Sequence, residues 1–242
     1  MRQNNILFLF VLLFGNSVGQ TKIFFDKYWN ETKTTDEAIF YKILHKDVND
    51  SNIVLEKAFY LTDTLKWIKK YSDFLKGNID GTSKSFYSTG QLKEIANYTN
   101  GYLNGELKTY WQNGHAKRDD SYEMGKLVDG KTYDSTGKQI TYFNYEKAPE
   151  YPGGIKELIN FLKSNVKYPD IAKADKISGK VLIQFMVDEE GTIRNVKILK
   201  SISPELDEEA LRVVRGMPTW TPGQIDGTTV HSYFNLPISF KL

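Results

Sequence analysis

No cysteine occurs among the 242 residues, which removes disulfide staples, thiol nucleophiles, cysteine metal ligands and a lipid-modified cysteine together. The fold must rest on its core alone. Histidine is scarce: His45, His115 and His231 lie far apart and in no metal-ligand spacing. There is no Walker loop, nucleophile-elbow Gly-x-Ser-x-Gly or dinucleotide glycine fingerprint. Asp119 and Asp120 are neighbours in a turn-rich stretch, where opposite strand faces or solvent exposure suit them better than a shared catalytic cleft. We expect no enzyme, no cofactor and no metal site.

Charge of one sign is missing too. With 32 basic and 30 acidic residues, the chain lacks the electrostatic footprint of a nucleic-acid binder. Long hydrophobic runs are also lacking, since the longest, Ile6 to Phe14, falls well short of the roughly 20 residues that span a bilayer. Arg2 before that run and Ser17-Val18-Gly19 after it read as a signal peptide over residues 1–19, cut before Gln20. The expected location is the periplasm or cell envelope of a Gram-negative bacterium. A cleaved signal and a retained anchor are both open.

Proline is absent before Pro149 and all seven prolines lie from there to Pro237, so two differently built halves meet near residue 148. In the front half a period of about 24 residues signals repeat architecture. Gly77, Gly101 and Gly125 share one position; Gly81 aligns with Gly105 and Gly130, Phe86 with Tyr110 and Tyr133, Gly90 with Gly114 and Gly137. Tyr71, Tyr98 and Tyr122 align after small insertions or deletions. Asn100-Gly101 and Asn113-Gly114 between short aromatic-rich runs are strong hairpin signals. One hairpin buries no face, so the units must associate, giving an all-β repeat domain of stacked hairpins over residues 59–147. Residues 20–58 read as a β segment capping it. The repeat tyrosines read as interior filling, and Lys66-Trp67-Ile68-Lys69-Lys70-Tyr71 as a solvated strand face. The pattern resembles MORN-type repeats in their bacterial variant.

Residues 148–242 read as an α+β domain, two helices on a three-stranded antiparallel sheet. Ile155, Leu158, Ile159, Leu162 and Val166 form one helical stripe, ended before Tyr168 by Pro169. Val181, Ile183, Phe185 and Val187 alternate as a half-buried strand, Asp188 to Gly191 turns, and Ile193 to Lys200 returns. The turn lacks the ligand spacing of a calcium loop. Pro204 opens a helix with buried Leu206, Ala210, Val213, Val214 and Met217. Trp220, between Pro218 and Pro222, plugs the sheet end or anchors a partner. Val230, Phe234, Leu236, Ile238 and Phe240 mark a last strand, and Pro237 points to an edge strand or its bulged end.

Taken in order, Tyr151-Pro152-Gly153-Gly154, Tyr168-Pro169, Asp188-Glu189-Glu190-Gly191, Leu206-Asp207-Glu208-Glu209-Ala210, Met217-Pro218-Thr219-Trp220-Thr221-Pro222-Gly223 and Leu236-Pro237-Ile238-Ser239-Phe240 resemble the C-terminal domain of TonB energy transducers in their Bacteroidetes-type form. The resemblance implies that a sheet edge pairs with the TonB box, a short segment of an outer-membrane TonB-dependent transporter, by β-augmentation. It assigns Tyr168, Pro169 and Ala172 to an element beside that segment, and Val230, Ser232, Phe234, Leu236, Ile238 and Phe240 to the pairing strand. A helix stop with a packed ring is an equal reading of Tyr168-Pro169. A retained N-terminus would add an inner-membrane proton-driven motor as partner, although the apolar run carries no ionisable group and no proline-rich spacer follows it. The alternative function is a periplasmic scaffold or ligand-binding protein that recognises its ligand through the repeats. A homodimer through the free edge is left open.

Overall fold

The computed structural model describes residues 21–242, and the expected signal segment lies outside the described residues. The chain divides into two compact units after Tyr142, five residues before the boundary drawn from proline usage.

The first unit is one antiparallel sheet. Its strands are β1 (Ile23–Phe25), β2 (Glu31–Thr32), β3 (Phe40–Lys46), β4 (Val54–Tyr60), β5 (Leu65–Asp73), β6 (Asn78–Ile79), β7 (Gly81–Phe86), β8 (Leu92–Thr99), β9 (Tyr102–Tyr110), β10 (Ala116–Glu123), β11 (Lys126–Tyr133) and β12 (Gln139–Ile140). The order runs β12-β11-β10-β9-β8-β7-β5-β4-β3-β1-β2, with β6 beside β5. Hairpins therefore join edge to edge through ladder hydrogen bonds, since each presents free backbone groups to the next. Tyr60 and Tyr87 donate their hydroxyls to the carbonyls of Phe86 (3.1 Å) and Tyr110 (2.7 Å), and Trp111 Nε1 donates to Tyr133 O at 3.0 Å. Phe86, Tyr110 and Tyr133 are the aligned repeat positions, so each unit is pinned to the next by one ring.

Two expectations need correction here. Trp67 is buried, with Nε1 donating to Glu56 Oε1 at 2.6 Å, so the Lys66–Tyr71 run is not a solvated face; alternation turns Trp67 inward. Gly130 does not stand where Gly105 stands. Leu107 pairs with Ala96 on β8, and Gly130 pairs with Asp120 at the matching place on β10, because the β8–β9 ladder shifts between Ala96 and Tyr98 by one residue more than the β10–β11 ladder does between Ser121 and Tyr122. Gly130 thus takes the place of Leu107, and a Cβ there would lie 2.5 Å from the Tyr142 ring and 2.7 Å from Asp120 Oδ1.

The second unit holds α1 (Gly154–Asn165), the short α2 (Asp170–Ala174) and α3 (Pro204–Arg215), with β13 (Glu146–Lys147), β14 (Gly179–Val187), β15 (Ile193–Lys200), β16 (Gly223–Ile225), β17 (Thr228–Val230) and β18 (Ser232–Phe240). One sheet is ordered β15-β14-β18, and a second, small one β13-β16-β17. Beyond the expected elements there is thus an extra helix and an extra sheet. Val181, Ile183, Phe185 and Val187 are each 0% exposed and share a core with Leu158, Leu206, Ala210, Val214, Leu236, Ile238 and Phe240. Burying one such side chain contributes about 1.5–3 kcal/mol. Ser203 caps α3, its hydroxyl accepting from the Leu206 amide at 3.4 Å, while Glu205 and Asp207 sit at the positive end of the dipole. Helix α1 faces the core through Leu158, with Phe161, Leu162 and Val166 beside it, and leaves Ile155 and Ile159 exposed. The stripe is rotated from the expected one because Phe161 takes the place on the core that Ile155 and Ile159 would have filled.

Candidate partner-binding site

The central strand β14 pairs with β18 in unbroken register, from Gly179 with Phe240 to Val187 with Ser232. Among the described residues no strand pairs with the other side of β18. Burial alternates along it: Leu236, Ile238 and Phe240 are buried, while Asn235, Pro237 and Ser239 are exposed. The buried set is held by rings. Phe234 lies 5.0 Å from Trp220 and 5.7 Å from Phe185 between centroids, and Phe240 lies 5.9 Å from Tyr168.

The structure therefore separates the expected site residues. The side chains of Phe234, Leu236, Ile238 and Phe240 pack into the domain's own core, so only their backbone belongs to the strand. Val230 is not in that strand: it ends β17 and pairs with Gly223 in the small sheet, the ladder breaking at His231. Ser232 begins β18 opposite Val187, with its hydroxyl 3.4 Å from the Val230 carbonyl. Tyr168 donates its hydroxyl to the Ile177 carbonyl at 2.5 Å, Pro169 precedes α2 with an extended backbone, and Ala172 is wholly buried. These three close the domain around the C-terminal end of β18 rather than present a free ring.

The opposite end is built by two motifs that lock together. Asp188 accepts from the amides of Glu190 (3.1 Å) and Thr192 (2.7 Å) and from Arg194 Nε (2.5 Å). Burial pushes the Asp188 carboxyl up, but Arg194 and these amides outweigh it and hold the group below the ordinary carboxylate value. Gly191 accepts from the Trp220 amide at 2.9 Å, and Trp220 stacks edgewise on Tyr151 and Phe185. Trp220 is 3% exposed, which makes it the plug of the sheet end and not a surface anchor. Its Nε1 has no hydrogen-bond partner, so the indole contributes through ring packing. His231 Nδ1 lies 3.3 Å from Glu189 Oε1, at the start of β18.

The outward side chains Tyr233, Asn235, Pro237 and Ser239 carry no charge, and Asn235 Oδ1 accepts from Gln184 Nε2 at 3.0 Å. Such an edge can take an uncharged extended segment through backbone hydrogen bonds. No three His, Cys, Asp or Glu side chains converge to hold a metal ion among the described residues, and none of their helices is long and apolar enough to cross a membrane.

Residues 164–242 match the family described as Gram-negative bacterial TonB protein C-terminal. Comparison with curated proteins gives no match. Two solution structures of the Helicobacter pylori TonB C-terminal domain are similar to part of the chain. One, of residues 179–285 of that protein, is 22% identical, covers 36% of this chain and 79% of its own, and has a TM-score of 0.30. The other, of residues 194–285, is 24% identical, covers 36% of this chain and 91% of its own, with a TM-score of 0.29. By the family match, residues 164–242, about a third of the chain, are similar to the C-terminal domain of Gram-negative bacterial TonB proteins.

Proposed function

We propose that the C-terminal unit binds an extended TonB-box-like segment of an outer-membrane transporter as a further strand on the open edge of β18, in support of energised transport. The role is binding, with no catalytic step. The observation that carries it is the strand itself: nine residues paired on one side, unpaired by any strand on the other among those described, and clamped at both ends by Tyr168 and by the Gly191–Trp220 contact. A clamped edge loses little conformational entropy when a partner pairs with it.

Proline costs no ladder bond when its nitrogen faces the open side of an edge strand. In that placement the amides of Tyr233, Asn235 and Ser239 face the same way, and position 237 offers no donor. The incoming strand then pairs along Tyr233–Asn235, and the proline limits how far it extends. That gap also weakens pairing between two copies.

Titration of the full chain with TonB-box peptides, read by backbone amide shifts, tests this. Shifts should centre on residues 232–236. Asn235→Pro removes a second outward donor and should weaken binding by about tenfold, one hydrogen bond's net contribution, with the remaining amide spectrum unchanged. A panel of peptides producing no shifts, or Asn235→Pro binding as well as the parent, rejects the edge. Coupling to a motor is a separate question that the cellular fate of residues 1–19 decides: an intact Met1 in the inner membrane supports it, and a mature chain starting at Gln20 opposes it.

A further inference from the structure

In the repeat unit one structural event recurs three times and nothing in the pairing function uses it. Each strand that follows an aromatic turn carries one extra residue, and each time that residue is lysine. Phe59 pairs with Leu65 and Ala58 with Trp67, leaving Lys66 over; Phe86 pairs with Leu92 and Ser85 with Glu94, leaving Lys93; Tyr110 pairs with Ala116 and Thr109 with Arg118, leaving Lys117. A bulge re-aims the side chain that it carries. Here it brings each ammonium near the turn aromatic six positions earlier: Lys66 is 5.0 Å from the Tyr60 centroid and 4.3 Å from that of Phe40, Lys93 5.8 Å from Tyr87 and Lys117 4.6 Å from Trp111. The turn aromatics are the rings that pin successive hairpins together. The next turn has Asp134 in place of the ring and Ile140 six positions on, paired with Thr132 without a shift, so the row ends there.

The three lysines lie on β5, β8 and β10, two strands apart each time, hence at intervals of about 10 Å. Lys42 is neutralised by Glu56 at 3.3 Å, but among the described residues neither Lys66 nor Lys93 has a carboxylate within ion-pair distance. Burial first, and then the like charges of Lys93 and Lys42, press the Lys66 ammonium down to about 8. The repulsion between Lys66 and Lys93 opposes folding, and an anion beside them would relieve it.

We propose that Lys66, Lys93 and Lys117, seated on Tyr60, Tyr87 and Trp111, form a docking track for one extended acidic polysaccharide, its anionic groups meeting the ammoniums and its sugar edges running along the rings. A single-file row fits a line of charges, whereas a lipid surface presents a plane. Each ring already carries an ammonium over one face, which disfavours the base stacking of a single-stranded nucleic-acid platform. The track lies within residues 59–117 and is independent of strand pairing by the C-terminal unit.

The test uses the full chain and polygalacturonate oligomers of increasing length, with dextran, oligothymidylate and phosphatidylglycerol vesicles as comparators. Affinity should climb with oligomer length until the chain spans about 20 Å, four strand spacings, and dextran should not bind. Replacing Lys66, Lys93 and Lys117 together by Gln should cost at least about tenfold, with the Lys66 side-chain titration in the parent moving upward on binding. Replacing Lys57, Lys84 and Lys131 by Gln removes the same charge from exposed or half-exposed positions off the row and should leave affinity within about twofold. Should the triple variant not fold, Lys93→Gln alone, at an exposed position, should lower affinity by a smaller factor. Equal losses from the two triple variants, no dependence on length, or tighter binding of oligothymidylate or vesicles would overturn the track.

Discussion

Gly191 shows how one residue can decide a junction. Its φ is +83° and an added Cβ would lie 1.9 Å from the Trp220 carbonyl oxygen, so the turn cannot tolerate a side chain by either criterion. Gly191→Ala should lower stability by at least about 2 kcal/mol, combining left-handed backbone cost with displacement of Trp220. Urea unfolding of the parent and variant, followed by tryptophan emission, measures it; an unchanged midpoint would mean that the turn and the tryptophan loop are not coupled. Sequence reading identified the Asp188–Gly191 turn and the Trp220 loop separately. It missed that each is the other's partner, because a contact between residues some 30 apart leaves no periodic trace.

At the scale of the element, the last hairpin of the repeat sheet is closed by a polar plug. Arg118 and Asp120 both have fully buried side chains and pair at 2.8 Å, and Asp120 Oδ2 also accepts from Tyr142 (3.0 Å) and Tyr122 (3.3 Å). Burial first, and then the neighbouring Tyr142 and Asp120, hold the Tyr122 hydroxyl well above its ordinary value. Asp120 Oδ1 has no partner, so the plug is costly on its anionic side. Arg118→Met should therefore cost about 3–5 kcal/mol by stranding that carboxylate, and adding Asp120→Leu should recover much of the loss. A double-mutant cycle by thermal unfolding checks this, and additive losses would show that the pair is not a coupled unit. The plug explains Gly130, since Tyr142 occupies the space that a side chain there would need. Among the described residues β11 pairs with β12 only through Thr132 and Tyr133, and its register with β10 is irregular, a feature that discourages further edge pairing.

For the whole molecule, the boundary has consequences that the proline distribution hid. The Asp226 amide donates to the Tyr145 carbonyl at 2.6 Å, and Glu146–Lys147 pairs with Gln224–Ile225. A cut before residue 148 removes a strand from the small sheet, and a cut before residue 164 removes Leu158 from the core. Residues 143–242 should unfold cooperatively at the highest temperature, 148–242 lower, and 164–242 lowest or without a cooperative transition. Calorimetry of the three segments tests the order; equal midpoints for the first two would return the boundary to 148.

Punctuation and period are legible in the chain alone: the repeat of about 24 residues, the alternating strand from Val181 to Val187, the proline start of α3, and the motif order that resembles a TonB C-terminal domain. Those properties are local, and backbone geometry translates them directly into elements. Which side of an element faces what was decided only by tertiary structure. The rotation of α1 away from Ile155 and Ile159, the inward turn of Trp67, the transfer of Val230 to another sheet and the burial of Leu236, Ile238 and Phe240 all depend on neighbours distant in the chain. The lysine row belongs to the same class, because a bulge is defined by a register between two strands and no single stretch of sequence contains both.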